Sequence, residues 1–359
     1  GSGGLVPSGL LNLSALVAAA PGTSGRLAER ARALLDGTCD VLLRGAIRDP
    51  LDGGFFSARR SSGWDLPVFI KAVDTQSPIA LAYGRASMLD DSPRYLEASR
   101  EILSYSEQAF RDGGEGFGLY QIVPSRTLQP RVFLWSQERL RELLTAAEFE
   151  VASAAFQTSG IGNIPPESDP QRDFFRKNSL GLKRNAAELA TELGIPEGEA
   201  RDTLEAARRR LLAQREELLT RVEGVFREGT RVTETNARFA TSLAAFSGFA
   251  NSSEHLAEAQ EILAFLKTRH YSKEGGLLRI AATGDHRQVR ARGADYAALL
   301  NTLLAVYRVD LDPAHLIWAR ALVDELLQAH QDAPGRIKEA PRSEQIGLLD
   351  IYSTSMIFG

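Results

Sequence analysis

The sequence predicts an all-α protein whose helices pair into hairpins, the architecture of an (α/α) toroid with short β-hairpin loops. Three observations carry this prediction. Apolar residues recur at helical spacing along most of the 359 residues. One twenty-residue pattern occurs three times. A glycine pair with a short β-like run follows the helical units.

The repeat sets the first elements. Its copies are DSPRYLEASREILSYSEQAF from Asp91, NSSEHLAEAQEILAFLKTRH from Asn251 and LDPAHLIWARALVDELLQAH from Leu311. Aligned without gaps, Ser92, Ser252 and Asp312 share a position that suits a helix cap, because their side chains accept from the free amides of a first turn. Pro93 and Pro313 then fall at the first helical position, where a missing N–H costs nothing. Leu96, Leu256 and Leu316 follow, with Leu103, Leu263 and Val323 seven residues on, predicting one apolar stripe. Each copy follows another apolar helix, at Ile79–Leu89, Ala237–Phe249 and Asp295–Val309, so the unit is a hairpin. The glycine segments Asp52-Gly53-Gly54-Phe55-Phe56, Gly113–Tyr120 and Glu274–Ile280 are expected as shaped loops at one end of the hairpins, where a toroid offers its binding surface.

The second and third caps lie 60 residues apart and the first and second 160 apart, which predicts an insertion between them, at about 150–228. Gly160–Asp173 reads as a loop, and Asn185–Leu193 and Glu197–Val222 as helices. The run Arg208-Arg209-Arg210 is read as a solvated helix face. Residues 1–24 are taken as a tag-like Gly-Ser-Gly-Gly start and a short helix packing on the body, and 25–359 as the toroid.

Composition narrows function by exclusion. A net charge of −4 gives no basic field for nucleic acid. No apolar run reaches the roughly 18–20 residues that a membrane helix needs, so a cytoplasmic setting away from membranes is expected. Cys39 is the single cysteine and reads as a buried hydrophobe. No metal and no cofactor are expected, since no cysteine–histidine cluster, P-loop or serine elbow is present.

One segment is far from generic. Residues 44–76 read RGAIRDPLDGGFFSARRSSGWDLPVFIKAVDTQ. The order of Arg44-Gly45, Ile47, Asp49, Gly53-Gly54-Phe55, Trp64, Pro67, Phe69, Lys71 and Gln76 resembles the toroidal part of the thioredoxin-domain-containing, spermatogenesis-associated protein family. Val132–Ser136, Thr233 with Asn236, and Asp295-Tyr296-Ala297 are similar to later family motifs in the same order, and the resemblance covers roughly 27–355. It implies a six-hairpin toroid like those of N-acylglucosamine 2-epimerases and several glycosidases, preceded by a thioredoxin-like domain that this sequence lacks. About four to five hairpins are counted here, the last beginning near Leu349, so the ring is open, continues in a longer chain, or is closed by a partner. Several polar family positions are replaced: Val68 and Ile70 stand where the family has His and Glu, and Thr75 where it has Asp.

The candidates follow from that pattern. Asp49, Lys71, His286 and Asp295 are the catalytic candidates: carboxylates and a loop histidine for acid/base work, and a lysine, expected on a helix four residues after Pro67, that would be functional if buried in the mouth or structural if paired with Asp49 or Asp74. Asp49 and Asp52 are equally suited to turn formation, Asp295 to helix capping, and Glu115 to solvent. Phe55, Trp64, Gln76, Trp135, Asn236 and Tyr296 are the binding candidates, the tryptophans by stacking on a sugar or a peptide. The leading reading is a degenerate toroid acting as a binding or scaffold module. A carbohydrate-active enzyme, epimerase-like or glycosidase-like, is the second. An obligate subunit of a complex, with a protein partner or self-association at an open edge, is the third.

Overall fold

The computed structural model describes residues 4–60, 64–90, 93–111, 114–123, 129–221, 226–281 and 288–340. His286, the first cap at Asp91–Ser92 and the segment from Leu349 lie outside the described residues. Thirteen helices are present among those described. In chain order they are α1 (Ser8–Ala19), α2 (Gly25–Arg44), α3 (Val73–Asp90), α4 (Pro93–Phe110), α5 (Gln129–Phe133), α6 (Gln137–Leu143), α7 (Ala146–Phe156), α8 (Ala186–Leu193), α9 (Glu197–Arg221), α10 (Thr233–Ala250), α11 (Ser253–Arg269), α12 (Gly293–Asp310) and α13 (Pro313–His330).

Four hairpins, α1/α2, α3/α4, α10/α11 and α12/α13, make two layers. Helices α1, α3, α10 and α12 stand side by side in that order, and their partners back them on the outside. Small side chains let the inner helices approach, and each seam carries a short polar link. Asn12 donates to the Pro78 carbonyl at 2.7 Å, Ser77 and Ser242 meet at 3.1 Å, and Thr241 and Thr302 at 3.0 Å. The short helix expected near the start is α1, and it packs on α2 and α3 as the inner member of its hairpin.

The three expected first helices begin earlier than apolar spacing indicates, at Val73, Thr233 and Gly293. Their first turns hold Asp74, Glu234 and Asp295 instead of apolar residues, and acids there suit the positive end of the helix. Asp312 caps α13 by accepting from the Ala314 amide at 2.9 Å, while Ser252 turns its hydroxyl to His255 instead of capping. The expected outer stripe holds in the first two copies, where Leu103 and Leu263 are buried, and opens in the third. Ile102, Ile262 and Leu322 are buried in all three copies, but Leu316 and Val323 are 37% and 38% exposed. The last described hairpin has no further helix against that face, so its stripe stays open. At the other end of the row, Leu10, Leu13 and Leu16 on α1 are exposed as well.

The insertion is larger than the residues 150–228 expected. Helices α6 to α9 enclose their own core of Leu140, Val151, Phe156, Leu189, Leu204 and Leu211. Capping boxes at Thr145–Glu148 and Asn185–Glu188 start α7 and α8. In the Arg208–Arg210 run Arg209 and Arg210 are exposed, Arg210 pairing with Glu148 at 3.2 Å, and Arg208 turns in to donate to the Pro50 carbonyl. Short strands Ile70–Ala72, Tyr120–Ile122 and Phe226–Glu228 form an antiparallel sheet between toroid and insertion. Among the described residues, no helix is long and apolar enough to cross a membrane.

Candidate functional site

The glycine loops gather at the N-terminal ends of the inner helices, and side-chain amides clamp them there. Gln76, in the first turn of α3, accepts from the Phe55 amide at 2.8 Å and donates to the Phe55 carbonyl at 2.7 Å. Asn236, at the matching position of α10, does the same to Phe117 at 2.7 and 3.1 Å. Tyr296 holds that position in α12, and its hydroxyl donates to Glu325, which also accepts from the Leu277 amide at 2.7 Å. One repeat position thus fixes three loops, through three different side chains. Gly54 leaves no room for a side chain, because a Cβ there would meet the Tyr105 ring.

The first of these loops carries a buried charge cluster. Lys71 was expected on a helix. It lies instead on the strand Ile70–Ala72, opposite Gln121, because α3 begins only at Val73. This points its ammonium at the Asp49–Asp52 turn. Lys71 Nζ donates to Asp49 at 2.9 Å and to Asp52 at 2.7 and 2.6 Å. Arg215, from α9 of the insertion, forks onto Asp49 at 2.6 and 3.1 Å and reaches Asp52 at 3.5 Å. The two aspartates also shape the turn, Asp49 accepting from the Leu51 amide at 3.1 Å and Asp52 from the Gly54 amide at 3.0 Å. Turn formation and ion pairing therefore share the same atoms.

Two cations meet two carboxylates, and Asp49, Lys71 and Arg215 are each at most 5% exposed. Such a cluster tolerates burial because every charge is paired and hydrogen-bonded. The environments of the aspartates diverge. Burial works to raise the Asp49 carboxyl, but the Arg215 and Lys71 charges outweigh it and hold it well below the usual range. Burial and the neighbouring Asp49 carboxylate raise Asp52 against the pull of Lys71 and Arg215. Asp52 is also the more open of the two, with its side chain 20% exposed.

Asp52, Lys71 and Arg215 form the floor of a cleft of about 300 Å³. Phe69, Tyr105 and Phe133 wall it, and Gln108, Gln121 and Glu216 bring polar groups to its sides. Phe69 and Phe133 stack at 4.9 Å, and Arg215 lies over Phe133 at 5.1 Å. The Lys71 ammonium sits 4.8 Å from the ring centres of Phe56 and Tyr105. Gln121 donates to the Tyr105 hydroxyl, whose own proton is held tightly by burial and by Asp52 and Asp49. The space between the aspartates is filled by the Lys71 ammonium. Among the described residues, no group of three or more His, Cys, Asp and Glu could hold a metal ion.

The remaining candidates lie elsewhere. Asp295 is fully buried at the start of α12, where it accepts from the Arg292 amide at 2.8 Å, from the Glu234 amide at 3.0 Å and from Arg279 at 3.1 Å. Burial raises its carboxyl and Arg279 opposes that. His286 lies outside the described residues. Phe55, Gln76, Asn236 and Tyr296 are buried in the frame that holds the loops. Trp64 is half-buried with the Arg59 guanidinium 4.7 Å over its ring. Trp135 lines a different pocket, beside the insertion. Glu115 pairs with Arg269 at 3.0 Å in solvent. Cys39 is buried, and burial pushes its thiol up to about 12.

Sequence reasoning named Asp49 and Lys71 as candidates and Asp52 as a turn former, and missed Arg215 and Tyr105. Arg215 did leave a signal. The buried stripe of α9 runs Ala200, Leu204, Ala207, Leu211 and then Arg215, so a charged residue occupies the next core position.

Fold and site together define an (α/α)-toroid protein with a charged cleft under one of its loops. The same fold occurs in D-mannose isomerase, whose crystal structure overlays 94% of this chain and 68% of its own at a TM-score of 0.50 and 10% identity. No protein-family model matches the sequence. By sequence the chain is homologous to spermatogenesis-associated protein 20 of Homo sapiens, 23% identical over 331 residues, covering 85% of this chain and 41% of the relative. An uncharacterized protein of Caenorhabditis elegans is 23% identical over 296 residues, 76% of this chain and 40% of its own. The chain thus spans about 40% of the length of the curated relatives it matches.

Proposed function

We propose that this chain is a binding module of toroid fold whose cleft holds a neutral saccharide without transforming it. The observation that supports this most is the sealing of Asp49 beneath Lys71 and Arg215. Glycosidic hydrolysis needs two carboxyl groups facing the scissile bond. Of the two aspartates only Asp52 lines the cleft, and the other carboxylate on its walls, Glu216, is an exposed residue of α9 outside the cluster. Its walls are aromatic faces beside side-chain amides, the combination that suits a sugar ring's apolar face and its hydroxyls. The isomerase fold adds an analogy and no more.

Titration calorimetry against a panel of mono- and disaccharides, with NMR of each sugar after prolonged incubation, tests this. The expected result is saturable binding that weakens in Tyr105→Ala, with every sugar unchanged. Release of a reducing sugar or inversion at one carbon would establish an enzyme instead. Absence of binding across the panel would sink the saccharide assignment.

A second reading, work within a larger assembly, is favoured by the exposed apolar residues at both ends of the hairpin row. Leu10, Leu13 and Leu16 share a face of α1, and Ile317 on α13 is 72% exposed. Light scattering of the purified chain decides it: a monomer at high concentration counts against self-association at these edges.

A further inference from the structure

A second cavity lies beside the insertion, and its chemistry differs from that of the cleft. It has a volume of about 300 Å³ and is bounded by α5, the segment Leu134–Ser136 and α9. Arg131, Arg139, Lys177, Arg215 and Arg221 line it against one acid, Glu217. In a chain of net charge −4, this is a local reversal of sign.

Three of the five cations are already paired: Arg215 with Asp49, Arg139 with Glu142 at 2.9 Å, and Arg221 with Glu217. Arg131 and Lys177 have no carboxylate partner among the described residues. Two of the lining residues also carry an unsatisfied donor. Trp135 is 7% exposed and Arg215 5% exposed, and the indole N–H of the first and Nε of the second have no hydrogen-bond partner among the described residues. A buried N–H left unpaired is costly, so two on residues lining one cavity point to an acceptor there. That acceptor must be anionic to balance two cations, and guanidinium groups match the oxygens of a phosphate.

We infer that this cavity binds the phosphate group of a small phosphorylated molecule or free phosphate, held by Arg131 and Lys177 with Trp135 and Arg215 at its back. The site is separate from the saccharide cleft, since the two share only Arg215.

The test is thermal unfolding and tryptophan fluorescence of the intact chain against inorganic phosphate, glycerol 3-phosphate and acetate, at constant ionic strength set with chloride. Constant ionic strength removes general screening from the comparison. The expected result is a saturable rise in melting temperature with phosphate or glycerol 3-phosphate and not with acetate. Tighter binding of glycerol 3-phosphate identifies a phosphorylated metabolite, and equal binding identifies free phosphate. The double variant Arg131→Gln, Lys177→Gln alters accessible side chains, and it should raise the apparent Kd at least about tenfold. Trp135→Phe removes the indole donor and should weaken binding separately. No saturable response to either phosphate, a response to acetate alone, or a double variant that binds like the parent would each overturn the inference.

Discussion

Two buried aspartates paired with basic residues, Asp295 in the first turn of α12 and Asp49 in the first glycine loop, are used in opposite ways. Asp295 accepts two backbone amides and Arg279, and so ties the first turns of α10 and α12 together. Asp49 is held by Lys71 and by Arg215, a residue 166 positions further along the chain, and so ties the toroid to the insertion. The first cluster is closed and carries the frame. The second has Asp52 and a cleft beside it. Residue type does not separate these roles; the identity of the donors does. Both aspartates accept a backbone amide and pair with a cation; what sets Asp49 apart is a second cation, Arg215, drawn from a distant segment, which joins parts of the molecule.

The largest expected effect comes from breaking the two clusters in the same way. Lys71→Met leaves two buried carboxylates facing Arg215 alone, and removing one partner of a buried ion pair costs about 3–5 kcal/mol. Arg279→Met leaves Asp295 with both amides, so about 1–3 kcal/mol is expected. Urea unfolding of the two variants measures the difference. Equal losses would mean that the two clusters bear load alike and that the contrast between them is wrong.

How much of this was legible beforehand follows the same division. The hairpins could be read because their signals are local: apolar stripes, Pro93 and Pro313 at helix starts, and the spacing of the copies. Asp49 and Lys71 could be singled out because they share one short segment. Lys71 was assigned to a helix because nothing within its own segment reveals the pairing with Gln121, which belongs to a strand fifty residues away. The cluster's closure by Arg215 depends on how the insertion folds back, and no spacing within either segment encodes that. Gln76, Asn236 and Tyr296 were picked out as binding groups. They occupy one repeat position, and noticing that would have suggested a shared structural task.

Between pH 6.5 and about 4 the Asp295 region should also be the more sensitive to acid. His270 sits beside Arg279, its Nδ1 2.9 Å from the Thr233 hydroxyl, and burial lowers it to about 4 from an ordinary 6.5. Phe110, which cannot titrate, holds the matching position in the Asp49 region. Above pH 6.5 neither folded nor unfolded His270 carries a proton. Between 6.5 and about 4 only the unfolded chain takes one up, so stability falls as the pH falls. Below about 4 both states are protonated and this loss stops. The shift corresponds to roughly 3 kcal/mol in full, since each unit of pKa is about 1.4 kcal/mol. His270→Phe should flatten the stability profile across that window, and an unchanged slope would show that another group drives it.

The smallest effect concerns the opposite ends of the same helices, and it separates frame strain from site strain. Helix α10 ends at Asn251 with φ +50°, and α12 ends at the matching Leu311 with φ +58°. Both adopt the left-handed conformation that closes a helix, which asparagine tolerates and a leucine does not. Leu311 is 67% exposed, so its side chain recovers little by packing. It lies at the far end of α12 from the charge clusters. Leu311→Asn should therefore raise stability by about 1 kcal/mol while leaving ligand binding at the cleft untouched. Thermal unfolding and the saccharide titration together check it. A gain in stability accompanied by altered binding would show that the frame and the cleft are mechanically coupled, and that the division between the two regions does not hold.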